Sequence, residues 1–149
     1  MSEDALTIQI VSMLTMLSIP AAHDTENGGH CDILIKSKHR FKWIGEAKLY
    51  TSYVKLHNGF LQLSTRYGVA QEGADRGEII IYHTKENSKQ TLINWKNHLV
   101  EHKLAELIEG ADFSDSGQLS FRTRHACVST GCNFFVRHRI VPLYFEPKK

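Results

Sequence analysis

Three ionisable residues lie in two apolar, β-like stretches of the chain, where packing alone would not require a charge. Asp32 is near the start of the run CDILI, whereas Glu46 and Lys48 are near the end of the run FKWIGEAKL. Carboxylate oxygens suit Mg²⁺ or Mn²⁺, and a bound Mg²⁺ polarises a phosphate oxygen and lowers the pKa of a bound water. A lysine beside the metal could orient that water or stabilise charge that develops on phosphorus. The three residues are therefore candidates for metal-dependent hydrolysis of a phosphate ester.

Whether these residues meet depends on how the two stretches pair. Successive side chains of a strand point to opposite faces, and a slip of one residue moves every side chain to the other face. If the apolar residues share one core face, Ile33 lies opposite Gly45 and Asp32 lies opposite Glu46. This register requires an odd loop centred on His39. We therefore predict a hairpin that gathers the ionisable residues on the face away from the core.

Two directly opposed carboxylates on neighbouring strands repel each other unless another charge compensates them. A divalent cation between Asp32 and Glu46 would provide that compensation. The alternative is an ordinary cluster of charges on a solvated sheet face, because charged residues are common on protein surfaces. The residues alone leave both interpretations open.

The length and composition of the chain favour one globular domain. The 149 residues are enough to bury a core, and the apolar share of 42% and charged share of 23% lie near globular averages. Three cysteines are too few for a disulfide framework, and no signal peptide is recognisable. No apolar run approaches the roughly 18 residues that span a bilayer. We therefore expect a single domain over residues 1–149, located in the cytoplasm without membrane association.

The net charge of +2 gives no general sign of nucleic-acid binding. The carboxy-terminal part is locally more basic, which indicates either an anionic partner or a solvated basic edge. The residues concerned are Arg122, Arg124, Arg137, Arg139, Lys148 and Lys149.

Hydrophobic periodicity predicts a mixed α/β sheet flanked by helices. The first helix follows Ser2 and ends at Pro20, and its apolar stripe consists of Leu6, Ile10, Met13 and Leu17. The later elements predicted in chain order are a loop over 21–30, the hairpin, a helix over 51–67, a strand over 77–84, a helix ending at Gly110, and a second hairpin built from QLSFRTRHAC and FFVRHRIVPLYF.

Asp32, thirteen intervening residues and then Glu46-Ala47-Lys48 resemble the PD-(D/E)xK signature of the restriction-endonuclease-like nucleases. The apolar runs at both positions and the order of elements are also similar to that superfamily. The resemblance implies an αβββαβ-type core, here with an extra C-terminal helix and β-hairpin. It also implies that Asp32, Glu46 and the carbonyl of Ala47 bind Mg²⁺ or Mn²⁺, and that Lys48 assists hydrolysis. Cys31 stands where the family name has proline.

The same resemblance suggests accessory residues on the flanking helices. Many members place an acidic residue of the first helix near the metal, for which Glu3 is the candidate and Glu26 the competitor; either could equally be a cap or loop charge. Some branches carry a glutamine on the helix after the motif, and Gln62 fits. With Lys55 and Arg66 it forms a polar stripe that faces either phosphate or solvent.

Two further groups of residues have more than one interpretation. Basic residues at the hairpin tip could hold backbone phosphates, or could discourage edge association; they are Lys36, Lys38, Arg40 and Lys42. Two cysteines and two histidines of the tail could form a zinc site, but their spacing is unusual and favours incidental residues of a hairpin. They are His125, Cys127, Cys132 and His138.

Together these features lead us to expect a metal-dependent phosphodiesterase that acts on DNA, in restriction, repair or antiviral defence. Metal-activated water would attack the backbone phosphate without a covalent enzyme intermediate. A non-catalytic module that binds nucleic acid or a partner, and an RNase on the same fold, are the alternatives. Because so short a chain has no separate base-reading module, specificity is expected to come from a homodimer or from a recruiting protein partner.

Overall fold

The computed structural model describes residues 2–26, 30–37, 41–67, 70–108 and 119–148; the side chains at 24–26, 30, 31, 66 and 67 lie outside the description. These ranges contain three α-helices, one π-helical turn and seven strands. In order they are α1 (Glu3–Met16), β1 (Ala21–Glu26), β2 (His30–Lys36), β3 (Lys42–Leu49), α2 (Tyr53–Gln62), a π-helical turn (Leu63–Tyr67), β4 (Arg76–His83), α3 (Ser88–Glu101), β5 (Glu106–Ile108), β6 (Ser120–Ala126) and β7 (Asn133–Pro142).

The strands form one mixed sheet of seven, in the order β1-β2-β3-β4-β7-β6-β5. The pairs β3–β4 and β4–β7 are parallel, and the other pairs are antiparallel. Helix α1 packs on one face, while α2 and α3 pack on the other. The fold is therefore mixed α/β, as the periodicity predicts. None of the described helices is long and apolar enough to cross a membrane.

The register predicted for β2 and β3 is confirmed. Ile33 pairs with Gly45, and Ile35 pairs with Trp43. Gly45 is required by close packing, because a Cβ at this position would lie 2.9 Å from the Trp43 ring. The next step of the same register aligns Asp32 with Glu46.

The prediction of a single core face for this hairpin is wrong, since both faces are buried. Ile33 and Ala47 belong to a smaller apolar cluster under α1, whereas Leu34 and Ile44 belong to a larger cluster under α2 and α3. Strand β3 lies inside the sheet and pairs with the parallel strand β4, and helices on both sides of such strands bury both faces. The ionisable residues consequently lie on the larger cluster's face.

The apolar stripe predicted for α1 is confirmed for two of its four residues. Leu6 and Ile10 pack against the smaller cluster, but Met13 and Leu17 are 58% and 71% exposed. Thr7 is buried instead, with its hydroxyl 3.1 Å from the hydroxyl of Tyr82.

Two element predictions are wrong because strand pairing overrides local composition. The predicted loop over 21–30 contains β1, which pairs along β2 from Ala21 opposite Ile35 to Glu26 opposite His30. The predicted helix to Gly110 ends at Glu101, because Lys103 adopts a left-handed φ of 53° and reverses the chain. The residues that follow form β5 against β6.

A neutral histidine lies at the centre of the larger cluster. His138 is fully buried, and the indole N–H of Trp95 donates to its Nδ1 at 3.1 Å. An indole N–H only donates, so Nε2 carries the proton and donates to the hydroxyl of Thr123 at 2.9 Å. Burial, with a smaller contribution from His125, lowers the pKa of His138 from 6.5 to about 3.

Acidification should therefore destabilise the protein through His138. Its folded pKa lies below the unfolded value, so its contribution is present above pH 6.5 and is lost as the pH falls towards 3. At pH 5 the expected loss is about 2 kcal/mol of unfolding free energy relative to pH 8. Urea unfolding between pH 5 and 8 measures it. His138→Gln should be less stable than wild type at pH 8, and this difference should shrink by about 2 kcal/mol at pH 5, since other titrating groups such as Glu46 act on both proteins alike. A difference that does not change with pH would contradict the assignment.

Candidate active site

The candidate catalytic residues converge at the carboxyl end of β3. Glu46 and Lys48 alternate along this strand with Ala47, which is fully buried on the opposite face. Glu46 is 3% exposed, and the side chain of Lys48 is 16% exposed. Asp32 is half-buried on the neighbouring strand β2. The pairing of β2 with β3 thus brings two carboxylates and one ammonium group to the same place.

Direct contacts join these residues to each other and to the backbone. The N–H of Ala47 donates to Oδ2 of Asp32 at 2.7 Å. Nζ of Lys48 lies 3.0 Å from Oε1 of Glu46. His23 also contacts this site, with its Nδ1 2.8 Å from the carbonyl oxygen of Asp32. It was not predicted as a site residue because it belongs to β1, a strand that local composition does not reveal.

One carboxylate oxygen of the cluster has no partner. Oε2 of Glu46 is buried, and no group in the described part of the chain donates a hydrogen bond to it. A buried polar atom in this condition costs about 1–3 kcal/mol, and more when it is charged. A cation at this position would remove that cost.

The residues present fit a hard divalent cation of the Mg²⁺ type. Oxygen donors are available from Asp32, Glu46 and the backbone, and Mg²⁺ commonly takes one or two carboxylates and completes its shell with water. Within the described ranges no group of three or more His, Cys, Asp or Glu side chains could hold a metal ion. The site therefore has two carboxylates rather than a complete cage of protein ligands.

The pKa shifts of the two carboxyls report mainly their burial, to which neighbouring acids add. Burial and then the charge of Asp32 raise the pKa of Glu46 from 4.5 to about 7, although Lys48 opposes the shift. Burial also raises the pKa of Asp32, and the N–H of Ala47 acts against it. Burial lowers the pKa of Lys48, but its hydrogen bond to Glu46 and the surrounding acids outweigh burial and raise it. Both carboxyls are therefore harder to ionise than free carboxyls, and a bound cation would favour their ionised forms.

Glu3, the candidate accessory acid, lies beside this cluster. Its Oε2 accepts the N–H of Leu49 at 2.6 Å and pairs with Nζ of Lys55 at 2.9 Å. Its charge also acts on the pKa values of Asp32, Glu46 and Lys48. Glu3 and Lys55 thus connect α1 to α2 across the end of β3.

Gly59 allows α2 to approach the candidate lysine. A Cβ at this position would lie 3.0 Å from both Cγ and Cε of Lys48. This contact explains a glycine in a helix, where it is about 1 kcal/mol less favourable than alanine. The side chain of Lys48 is therefore confined between β3 and α2.

Of the other residues predicted for accessory or nucleic-acid-binding roles, only some lie near the carboxylates. Gln62 is half-buried at the end of α2, and Lys55 is engaged by Glu3. Lys36 lies opposite Lys42, four residues along each strand from the carboxylates, or roughly 13 Å away. Lys38, Arg40, the His39 loop and the side chains of Arg66, Glu26 and Cys31 lie outside the described part.

The residues considered for zinc do not assemble a site in the described ranges. Both ring nitrogens of His138 are engaged by Trp95 and Thr123. Cys127 is buried, while Cys132 is exposed. These contacts agree with the interpretation as hairpin residues.

Comparisons with known proteins do not identify the chemistry of this site, which therefore has to be inferred from its geometry. No protein-family model, no curated protein and no solved structure matches the chain significantly. The site is thus characterised by its own features: paired carboxylates, an adjacent lysine and a buried oxygen of Glu46 without a partner.

Proposed function

We propose that the chain is a divalent-metal-dependent nuclease that hydrolyses phosphodiester bonds of DNA, on a single restriction-endonuclease-like domain of the PD-(D/E)xK type. The observation that carries the proposal is the buried, unpartnered Oε2 of Glu46 beside Asp32 and Lys48. The order α1-β1-β2-β3-α2-β4, with β3 and β4 parallel, agrees with the αβββαβ-type core that the motif implies.

In this proposal Asp32 and Glu46, with the carbonyl of Ala47, hold Mg²⁺ or Mn²⁺. The bound cation supplies polarisation of a phosphate oxygen and a more acidic water. Lys48 is confined by Gly59 and Glu46, so its ammonium group donates from a restricted position to the water or to the phosphate. Glu3 holds Lys55 and adds negative charge that favours cation binding.

A cleavage assay tests the proposal. Wild type and Asp32→Asn are incubated with supercoiled plasmid, single-stranded DNA and RNA, each with Mg²⁺, Mn²⁺ or EDTA. Wild type should cleave DNA only with a divalent cation. The variant should be slower by about 10²–10³, the range found when one catalytic group is removed.

The remaining outcomes separate the alternatives. Equal metal-dependent cleavage by folded Asp32→Asn would assign the activity to a contaminant. Cleavage of RNA alone would identify an RNase on this scaffold. Binding of nucleic acid without cleavage, combined with no Mn²⁺ binding by titration, would identify a non-catalytic module. Only metal-dependent cleavage of DNA by wild type would be compatible with a role in restriction, repair or antiviral defence.

A further inference from the structure

A half-buried tyrosine follows the candidate catalytic lysine on the same face of the sheet. Tyr50 is two residues beyond Lys48, and its N–H donates to the carbonyl oxygen of Tyr82 at 2.9 Å, which continues the pairing of β3 with β4. Because side chains alternate along a strand, Tyr50 shares the face of Glu46 and Lys48 and lies roughly 7 Å from the lysine. The packing agrees, since Tyr50 contacts the larger cluster whereas Leu49 contacts the smaller one.

Neighbouring rings hold the Tyr50 ring in one orientation. The ring of Tyr53, at the start of α2, meets it edge-on with 5.5 Å between the centroids. The ring of His83, at the end of β4, lies 5.3 Å away. His83 is itself fixed by the hydroxyls of Ser88 at 2.8 Å and Thr91 at 3.1 Å. The Tyr50 ring is thus positioned before any ligand binds.

An exposed lysine lies over this ring. Nζ of Lys85, two residues after the end of β4, is 5.6 Å from the centroid of the Tyr50 ring. Lys85 is exposed and carries its ammonium group on a long, flexible stem, so the side of the ring that it covers faces solvent. The carboxylate of the adjoining Glu86 accepts from the hydroxyl of Tyr144 at 2.9 Å. A ligand that reaches this side of the ring therefore has to replace one ammonium–ring contact.

An unpaired nucleotide has the chemistry that this arrangement requires. A base that stacks on an aromatic ring contributes more binding free energy than an exposed ammonium–ring contact, so it can take the place of Lys85. The displaced ammonium group remains close to the phosphate of the same strand, to which it can donate a charge-assisted hydrogen bond. A free phosphate or an acidic peptide would use the lysine without the ring, and an apolar ligand would use the ring without the lysine.

We propose that Tyr50, Tyr53 and Lys85 form a subsite for an unpaired nucleotide next to the scissile phosphate. The base stacks on Tyr50, which Tyr53 orients, and Lys85 binds the adjoining phosphate. The inference rests on the proposed nuclease function, because the subsite lies beside Lys48. It adds the substrate class, which is single-stranded DNA or the frayed end of a duplex, since a base inside a duplex is already paired and stacked and does not reach the ring.

Fluorescence anisotropy in EDTA, with a labelled 20-nucleotide DNA single strand and its duplex, measures the subsite without hydrolysis. Tyr50→Leu removes the ring and should raise Kd for the single strand about tenfold, while Kd for the duplex changes less than about twofold. Tyr50→Phe keeps the ring and should recover most of the lost affinity. Lys85→Gln should raise Kd about fivefold and reduce the slope of log Kd against log salt by roughly 0.7, the contribution of one phosphate contact.

Cleavage of the single strand with Mn²⁺ gives a second readout. In Tyr50→Leu the half-saturating concentration of substrate should rise about tenfold, whereas kcat should stay within about threefold of wild type, because the carboxylates and Lys48 are unchanged. Thermal unfolding with and without Mn²⁺ checks that the variants are folded and keep the cation site. If Tyr50→Leu fails to fold, Lys85→Gln changes only an exposed side chain and carries the test through the salt slope.

A matched control is available at the other end of α3. Lys85 precedes this helix, whereas the exposed Lys103 follows it, so Lys103→Gln removes the same charge far from the subsite and should bind as wild type. An equal loss of affinity in Lys103→Gln would show dependence on net charge alone and would overturn the inference. An equal loss for single strand and duplex in Tyr50→Leu would overturn it as well, as would no binding of the single strand by wild type at low salt.

The same measurements separate this inference from the nuclease proposal. Cleavage that depends on metal and on Asp32, together with wild-type single-strand affinity in Tyr50→Leu and Lys85→Gln, would reject the subsite and leave the nuclease. Ring-dependent binding of the single strand in EDTA, without cleavage in Mn²⁺, would support the subsite as a binding site and reject the nuclease.

Discussion

Glu46→Gln should raise the unfolding free energy of the metal-free protein at pH 8, although it removes a residue proposed to be essential. Burial and the charge of Asp32 raise the folded pKa of Glu46 from 4.5 to about 7. A carboxyl with a raised pKa contributes stability that is lost as pH rises from 4.5 through 7. The shift sets an upper limit of about 3 kcal/mol. Because Lys48 loses its partner, we expect a gain on the order of 1–2 kcal/mol.

Urea unfolding in EDTA at pH 5 and pH 8 measures this effect. At pH 5 the Glu46 carboxyl is protonated in the folded protein, so the gain should nearly disappear. Glu72→Gln, an exposed glutamate replaced in the same way, should stay within about 0.5 kcal/mol of wild type at both pH values. Destabilisation of Glu46→Gln at both pH values would show that the ion pair with Lys48 outweighs burial.

Divalent cations should make wild type more stable than Glu46→Gln, which reverses the order expected in EDTA. Mn²⁺ at 100 times its dissociation constant stabilises a folded protein by about 2.7 kcal/mol when it binds one site. Wild type should gain this stability because the cation meets Asp32 and Glu46, whereas Glu46→Gln should gain far less. Equal stabilisation of both would place the cation elsewhere.

Lys48→Met should reduce hydrolysis by about 10²–10³ while leaving cation binding intact, because one charged donor to the reacting phosphate or water is removed. Nζ of Lys48 lies 3.0 Å from Oε1 of Glu46, so its removal also takes away a competitor for that oxygen. The stabilisation produced by Mn²⁺ should consequently be as large as in wild type, or larger. The loss should appear in kcat rather than in substrate affinity.

Single-turnover cleavage at saturating Mn²⁺, together with thermal unfolding with and without Mn²⁺, measures the two properties of Lys48→Met. Lys89→Met, on an exposed part of α3, loses the same charge and should cleave as wild type. Full activity of Lys48→Met would remove this residue from the mechanism. Loss of Mn²⁺ stabilisation would instead assign Lys48 to shaping the cation site.

Local periodicity was sufficient to predict much of the framework. The alternation of apolar residues predicted the register of β2 with β3, since a slip of one residue would expose an entire face. The helix predicted over 51–67 has an apolar stripe of Tyr53, Leu56, Phe60, Leu63 and Tyr67. Leu56, Phe60 and Leu63 are buried as this spacing predicts, Tyr53 is half-buried, and the side chain of Tyr67 lies outside the description. The predicted register also aligned Asp32 with Glu46, so the two carboxylates of the site could be paired from the sequence alone.

Elements that depend on distant partners were not predictable in this way. Strand β1 has the sequence AAHDTE, which contains no large apolar residue, so only its pairing with β2 reveals it. The sequence of β5 continues the apolar pattern of α3, which is why a longer helix was predicted. It forms a strand because the left-handed φ of Lys103 ends the helical course and β6 provides a pairing partner. Burial of both hairpin faces likewise depends on α1 packing from the other side.

For the site, the sequence determined which charged groups share a strand face, because alternation is a property of the local backbone. Only the tertiary structure decided their environment: Glu46 at 3% exposure with an unpartnered oxygen, Lys48 confined by Gly59, and Glu3 joined to Lys55. It also decided which aromatic rings lie beside the site. Burial and charge proximity depend on contacts between residues far apart in the chain, which periodicity does not encode.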